Sequence, residues 1–117
     1  MSEFERMNPV VKELWLAALR SGDREQGKGY LNVDGKFCCL GVLCEVAIES
    51  GVGVTKQEDL GTYYYGSRSS FPPKAVYDWS GLPGLTPADG PDVRLSIMND
   101  GDGKTFLEIA DWIEENL

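Results

Sequence analysis

Residues 40–51 constrain this chain more than any other segment. The run Leu40-Gly41-Val42-Leu43-Cys44-Glu45-Val46-Ala47-Ile48-Glu49-Ser50-Gly51 is apolar on almost every side. Read as a helix, it leaves Gly41, Glu45 and Glu49, spaced by four, as a narrow polar stripe. A helix so poorly wetted belongs at the centre of a core, and Gly51 supplies its stop. A chain of 117 residues supports one such core and not two, so residues 1–117 are expected to form a single domain around this helix.

The flanking segments carry local punctuation. Asn8-Pro9 pairs an N-cap residue with proline at the first helical position, and the apolar spacing after it predicts a helix that stops at Gly22. Tyr30-Leu31-Asn32-Val33 and Lys36-Phe37-Cys38-Cys39 flank Asp34-Gly35, which suits a type I′ hairpin turn. In that register Leu31 opposes Cys38 and Val33 opposes Lys36. A hairpin of two strands must pack on helices or join a sheet. Val52-Gly53-Val54 and Thr62-Tyr63-Tyr64-Tyr65 read as short strands separated by a charged turn. Phe71-Pro72-Pro73 leads into a short helix over residues 74–80, ended by Gly81. Residues 82–91, with three prolines and two glycines, read as loop. Asp92 is placed to cap a helix over residues 93–99. Thr105-Phe106-Leu107-Glu108 is a capping box before a final helix. There Phe106, Ile109, Ala110, Ile113 and Leu117 share the inner face, while Asp111, Glu114 and Glu115 face water. The fold expected is an α-rich α+β domain: a central buried helix, framing N- and C-terminal helices and a small antiparallel hairpin.

Composition narrows the chemistry. The chain has no histidine, which removes Ser-His-Asp and Cys-His catalysis and histidine metal sites. Cys38, Cys39 and Cys44 lie within seven residues, a poor disulfide framework that fits a reducing compartment. In a helix Cys39 and Cys44 point about 140° apart. C-C-x4-C is also not the paired spacing of structural zinc, so the cysteines are read as core packing, with no metal and no cofactor expected. The amino terminus, Met1-Ser2-Glu3-Phe4-Glu5-Arg6, lacks a basic and an apolar region of a secretion signal. No apolar run approaches the roughly 20 residues of a membrane span. A cytoplasmic location without membrane contact is therefore expected.

Net charge is −8 and is unevenly spread: zero over residues 1–28, −3 over 29–98 and −5 over 99–117. Such a chain repels nucleic-acid backbones and favours basic partners. Helix, turn and helix from residue 92 to 117 have the outline of a helix-turn-helix. The second helix, however, bears Asp111, Glu114 and Glu115 where phosphate contact needs lysine or arginine. Asp100-Gly101-Asp102-Gly103-Lys104-Thr105 fails as a calcium loop, since its first and last ligand positions fall on Met98 and Ile109. It fails as a phosphate loop because the opening glycine falls on Met98. It reads as a polar turn with a cap.

Two sets of residues remain as binding candidates. On the last helix, Trp112 lies about 120° from the centre of the apolar face among Asp111, Glu114 and Glu115: an aromatic anchor ringed by acids, suited to a basic protein surface. Separately, Lys28 in Gly27-Lys28-Gly29 and Arg68 in Gly66-Ser67-Arg68-Ser69-Ser70 lie in glycine- and serine-bearing loops. With Tyr63, Tyr64 and Tyr65 they offer cations for a small phosphorylated ligand and rings for a base.

The string Gly27-Lys28-Gly29-Tyr30-Leu31, then Asp34-Gly35-Lys36-Phe37-Cys38-Cys39-Leu40-Gly41-Val42-Leu43-Cys44, resembles a family of small proteins encoded by phages and prophages. Trp15-Leu16-Ala17-Ala18-Leu19-Arg20-Ser21-Gly22 and residues 99–117 share the resemblance. It implies expression inside an infected or lysogenic bacterium, where proteins of this size bind a host protein or sequester a defence signal. The expectation is a non-enzymatic phage accessory protein that binds a host protein through an acidic surface. The alternative is a sponge for a signalling nucleotide. A carboxylate-based or metal-assisted hydrolase is a more distant third.

Overall fold

The computed structural model describes residues 4–84 and 90–117. The reading of residues 1–3 as part of a leaderless start, and of residues 85–89 as loop, lies outside those residues. Five helices and five short strands follow in the order α1 (Pro9–Arg20), β1 (Glu25–Gln26), β2 (Asn32–Val33), β3 (Lys36–Phe37), α2 (Cys39–Glu49), β4 (Lys56–Asp59), β5 (Thr62–Tyr65), α3 (Lys74–Ser80), α4 (Pro91–Asp100) and α5 (Phe106–Asn116). The class is α+β, as the sequence implies.

Local signals place most of these elements. The Asn8 side chain accepts from the backbone N–H of Val10 and Val11, and Pro9 opens α1. Val33 pairs with Lys36 and Asn32 with Phe37. Asp34 and Gly35 stand at φ 54° and 80°, both positive as a type I′ turn requires. In α5 both halves of the capping box form: Thr105 accepts from the Glu108 N–H, and the Glu108 carboxylate accepts from the Thr105 N–H.

α2 is the central element. Eight of its eleven residues are buried, and α1, α3, α4 and β3 all pack against it. The Trp15 indole N–H donates to the Cys39 carbonyl at 3.0 Å, which locks α1 to the start of α2. α5 packs on α1 and α4, with Phe106, Ile109, Ala110 and Ile113 buried.

Four expectations need correction. Gly41 is not part of a wet stripe: it is buried against the hairpin, where a Cβ would meet the Leu31 carbonyl carbon at 2.7 Å. Residues 52–54 are not a strand. The strand is Lys56–Asp59, the stretch read as a charged turn, and all four of its residues are exposed. It is the edge of a sheet ordered β1-β3-β2-β5-β4, so no face of it needs apolar side chains. The hairpin thus joins a five-stranded sheet, in which β1 runs parallel to β3 and the other pairs are antiparallel. Finally, Gly90 and not Asp92 caps α4. Asp92 sits in the first turn, buried, and its carboxylate accepts from the Tyr77 hydroxyl at 2.8 Å.

Candidate functional site

α1 and α5 lie side by side in opposite directions. The Lys12 ammonium donates to the Glu114 carbonyl at 2.8 Å, and the Met7 N–H donates to the Leu117 carbonyl at 3.0 Å. The outer side of α5 presents Asp111, Glu114 and Glu115 to solvent, as its periodicity requires once the apolar face is buried. Arg20 bridges two of these acids, at 3.0 Å to Asp111 and 2.8 Å to Glu114. Their hydrogen bonds, Glu114 first and then Asp111, raise the guanidinium pKa. Exposed pairs of this kind, screened by solvent, add little to stability. Among the described residues, Glu115 is in no ion pair. Trp112 is half-buried, with the Phe4 ring 5.8 Å from it and inclined at 59°. The anchor expected from the sequence is therefore partly covered by Phe4. Leu107, one turn before Asp111, is 58% exposed.

The three tyrosines of β5 divide. Tyr65 is wholly buried, which removes its ring from any set able to stack on a base. Its hydroxyl donates to the Glu45 carboxylate at 2.5 Å and accepts from the Asn32 amide at 3.3 Å. Burial first, then the bond to Glu45, raises the Tyr65 pKa far above the usual phenol range. Lys56 closes the cluster with a 2.7 Å ion pair to Glu45, and its ammonium lies 5.1 Å from the Tyr63 ring centroid and 5.9 Å from that of Tyr65. Because the Tyr65 hydroxyl proton is directed to Glu45, Asn32 must offer it an N–H. Among the described residues, the Asn32 carbonyl oxygen is left buried with no hydrogen-bond partner. This cluster joins sheet to α2 and went unnoticed in the sequence, where Asn32, Glu45 and Lys56 carry no shared spacing.

Lys28 and Arg68 line different hollows, although their loops are joined by the Leu31 N–H bond to the Ser69 carbonyl at 2.7 Å. Lys28 lines a hollow of about 160 Å³ with Gly27, Val33, Asp34 and Lys36. Arg68 follows a tight turn in which Gly66 and Ser67 stand at φ 56° and 78° and Tyr65 pairs with Arg68. It lines a separate hollow of about 90 Å³ with Phe71, Tyr77, Asp92 and Val93. Both fall short of the roughly 300–1,000 Å³ of small-molecule sites. A wider, open hollow of about 460 Å³ at the end of α1 contains none of the expected ligand residues. Its Arg24 is held by Glu49 at 2.9 Å and lies 5.9 Å from the centroid of the Phe37 ring.

All three cysteines are buried, free thiols. Cys38 caps α2, its sulfur accepting from the Gly41 N–H at 3.4 Å, and the Cys39 thiol donates to the Leu95 carbonyl at 3.7 Å. Burial pushes the Cys38 thiol up to about 11 and raises Cys39 and Cys44 well above their ordinary range. Thiols in this state are poor nucleophiles at neutral pH. Among the described residues, no three cysteine, aspartate or glutamate side chains gather as metal ligands, and no helix is long and apolar enough to cross a membrane.

Sequence reading also missed Leu60. It occupies the first position of the two-residue turn between β4 and β5, at φ 52°, and is 97% exposed. The signal was present as Leu60-Gly61 following an acidic run, but that run was itself read as the turn.

A family model described as a domain of unknown function (DUF8296) matches residues 7–117. No curated protein and no solved structure matches the chain. The chain belongs to the DUF8296 family.

Proposed function

We propose that this member of the DUF8296 family is a non-enzymatic phage accessory protein that works by binding a basic protein in the cytoplasm of a bacterial host. The observation that carries this reading is the outer side of α5. Three carboxylates, Asp111, Glu114 and Glu115, face solvent there beside the exposed Leu107. Arg20 reaches two of them, and the residues from 99 to 117 retain a net charge of −5. Acids around a small apolar contact steer encounter with a cationic surface and supply affinity where the apolar group is desolvated. Trp112, half-covered by Phe4, forms the edge of that surface.

Co-purification from a bacterial lysate, with proteins and metabolites both read by mass spectrometry, tests the reading. A specifically retained protein should be released by raised salt and lost in an Asp111→Lys, Glu115→Lys double variant. Lys28→Ala and Arg68→Ala should retain it. A phosphorylated metabolite that co-elutes instead, and is lost with Arg68→Ala, would replace this reading with nucleotide sequestration.

A further inference from the structure

We propose that the tip of the β4–β5 hairpin is a second docking element, which inserts Leu60 into an apolar pocket rimmed by lysine or arginine on the same protein partner. The inference rests on the protein-binding reading above and adds a site remote in sequence from α5.

Leucine is a costly choice at this position. The first residue of a type I′ turn has positive φ, where asparagine, aspartate and glycine are favoured and a Cβ with a branched chain is strained. The chain itself follows that preference elsewhere. Asp34 fills the equivalent position of the β2–β3 turn at φ 54°, and Gly66 opens the Gly66-Ser67 turn at φ 56°. At Leu60 it accepts φ 52°, and burial within the chain does not offset the strain, because the side chain is 97% exposed. The other large exposed apolar residues are each at least partly covered, from 44% exposed at Leu14 to 68% at Val10. Leu60 alone of these is held out almost completely. Strain and exposure together point to a contact the isolated chain does not contain.

The tip is also held in place. The Asp34 N–H donates to the Gly61 carbonyl at 2.8 Å, so the two hairpin turns brace each other at one end of the sheet. The Asp34 carboxylate lies over Gly61, where a Cβ would come within 3.2 Å of its carboxyl carbon. A braced tip loses little freedom on binding. Its surroundings decide the partner's chemistry. Glu58 and Asp59 are exposed on β4 and Asp34 lies beside Gly61; of the cations on the neighbouring strands, Lys36 is paired with Glu25 at 3.3 Å and Lys56 with Glu45 at 2.7 Å. A leucine among three carboxylates complements an apolar pocket with a cationic rim. It is repelled by anionic lipid headgroups, and by a second copy of a chain with net charge −8.

Two arms test the inference on the full chain. The first needs no partner: Leu60→Asn should melt at the same temperature as wild type or higher, because asparagine tolerates this turn. A clear drop in melting temperature would make Leu60 a part of the fold and overturn the proposal. In the second, the protein retained by wild type in the co-purification is itself purified and titrated by calorimetry. Leu60→Asn should weaken binding at least tenfold, the scale of one desolvated leucine, and Leu60→Met should stay within about threefold of wild type. Unchanged affinity in Leu60→Asn, with binding still weakened by salt, overturns the tip and leaves the α5 reading standing. Absence of any specifically retained protein removes both. Leu60-dependent self-association in sedimentation, or Leu60-dependent flotation with phosphatidylglycerol vesicles, would overturn it in favour of a second copy or a membrane.

Discussion

The buried face of Gly41 lies so close to the hairpin that a Cβ placed there would stand 2.7 Å from the carbonyl carbon of Leu31 and 3.1 Å from its Cα. Those are backbone atoms, fixed on the other side by the Leu31 N–H bond to the Ser69 carbonyl at 2.7 Å. Helix propensity and packing therefore make opposite predictions for Gly41→Ala. Propensity favours alanine by about 1 kcal/mol in a helix interior, whereas overpacking costs about 1–3 kcal/mol or more. We expect packing to win and the melting temperature to fall. A stabilised variant would mean that α2 and the hairpin separate freely.

The capping box sets a second expectation. Thr105→Ala removes the acceptor for the Glu108 N–H, 3.2 Å from its hydroxyl, and should cost about 0.5–2 kcal/mol in denaturant unfolding. The Thr105 backbone and hydroxyl hold the Glu108 pKa below its ordinary value. A lowered carboxylate pKa stabilises the folded chain above the unfolded pKa, and that contribution disappears as pH falls through the folded pKa. The gap between wild type and variant should therefore narrow in acid, below about pH 4.

How much of this was legible in the sequence depended on the range of the interactions involved. Asn8, Asp34-Gly35, Gly81 and Thr105 act within a few residues of themselves, and α1, the hairpin, α3 and α5 were found from them. β4 has no apolar alternation because both of its faces are wet, so Lys56-Gln57-Glu58-Asp59 looked like a turn. Asp92 has the chemistry of a cap, but its partner is Tyr77, fifteen residues away, and burial there overrode the local preference. Gly41 reads as part of a polar stripe with Glu45 and Glu49, and only the tertiary contact with Leu31 makes it a packing residue. The acidic side of α5 was legible, since helical periodicity alone fixes it. The coverage of Trp112 by Phe4 was not, nor was the placing of Lys28 and Arg68 against different hollows, because both depend on tertiary placement.

The buried thiols should begin the loss of stability at alkaline pH, ahead of the buried phenols of Tyr65 and Tyr77. Cys38 moves from an ordinary 9.0 to about 11, mainly through desolvation, and Cys39 and Cys44 are raised in the same direction. A raised thiol pKa means that, above pH 9, the unfolded chain has lost protons that the folded chain keeps. Stability is then full below the unfolded pKa and falls as pH rises towards the folded one. The decline should be on the order of 1 kcal/mol per pH unit for each buried thiol. Denaturant midpoints should be flat from pH 7 to 8.5 and drop steeply between pH 9 and 11. Replacing the three cysteines by valine or alanine should lower stability at pH 7 and flatten the part of that drop below about pH 10, while the phenols of Tyr65 and Tyr77, also raised by burial, keep the part above it. At pH 8 the native thiols should react with a disulfide reagent far more slowly than in denaturant. Rapid reaction of the native protein would contradict their burial.

Asn99 supports the most discriminating test of the core. It is completely buried, and both ends of its amide are engaged. The oxygen accepts from the Gln26 amide at 2.8 Å and from the Cys39 N–H at 3.3 Å. The nitrogen donates to the Gly27 carbonyl and to the Asp100 carboxylate, each at 2.8 Å. β1, the start of α2 and the end of α4 meet at this one side chain. Gln26 passes the connection on to α5, accepting from the Phe106 N–H at 3.1 Å. Asn99→Ala should cost at least about 2 kcal/mol, since it leaves several buried groups unpaired. Asn99→Asp has nearly the same shape, yet ionised it has no donors and places a second carboxylate against Asp100. Desolvation and that neighbour both disfavour its charge, so its pKa should be higher folded than unfolded. By the same linkage, the aspartate variant should be least damaged in acid and lose stability as pH rises through its folded pKa. At pH 7 it should be less stable than the alanine variant, and the order should close or reverse near pH 4. Parallel pH profiles for the two variants would show that Asn99 is not enclosed as the geometry requires.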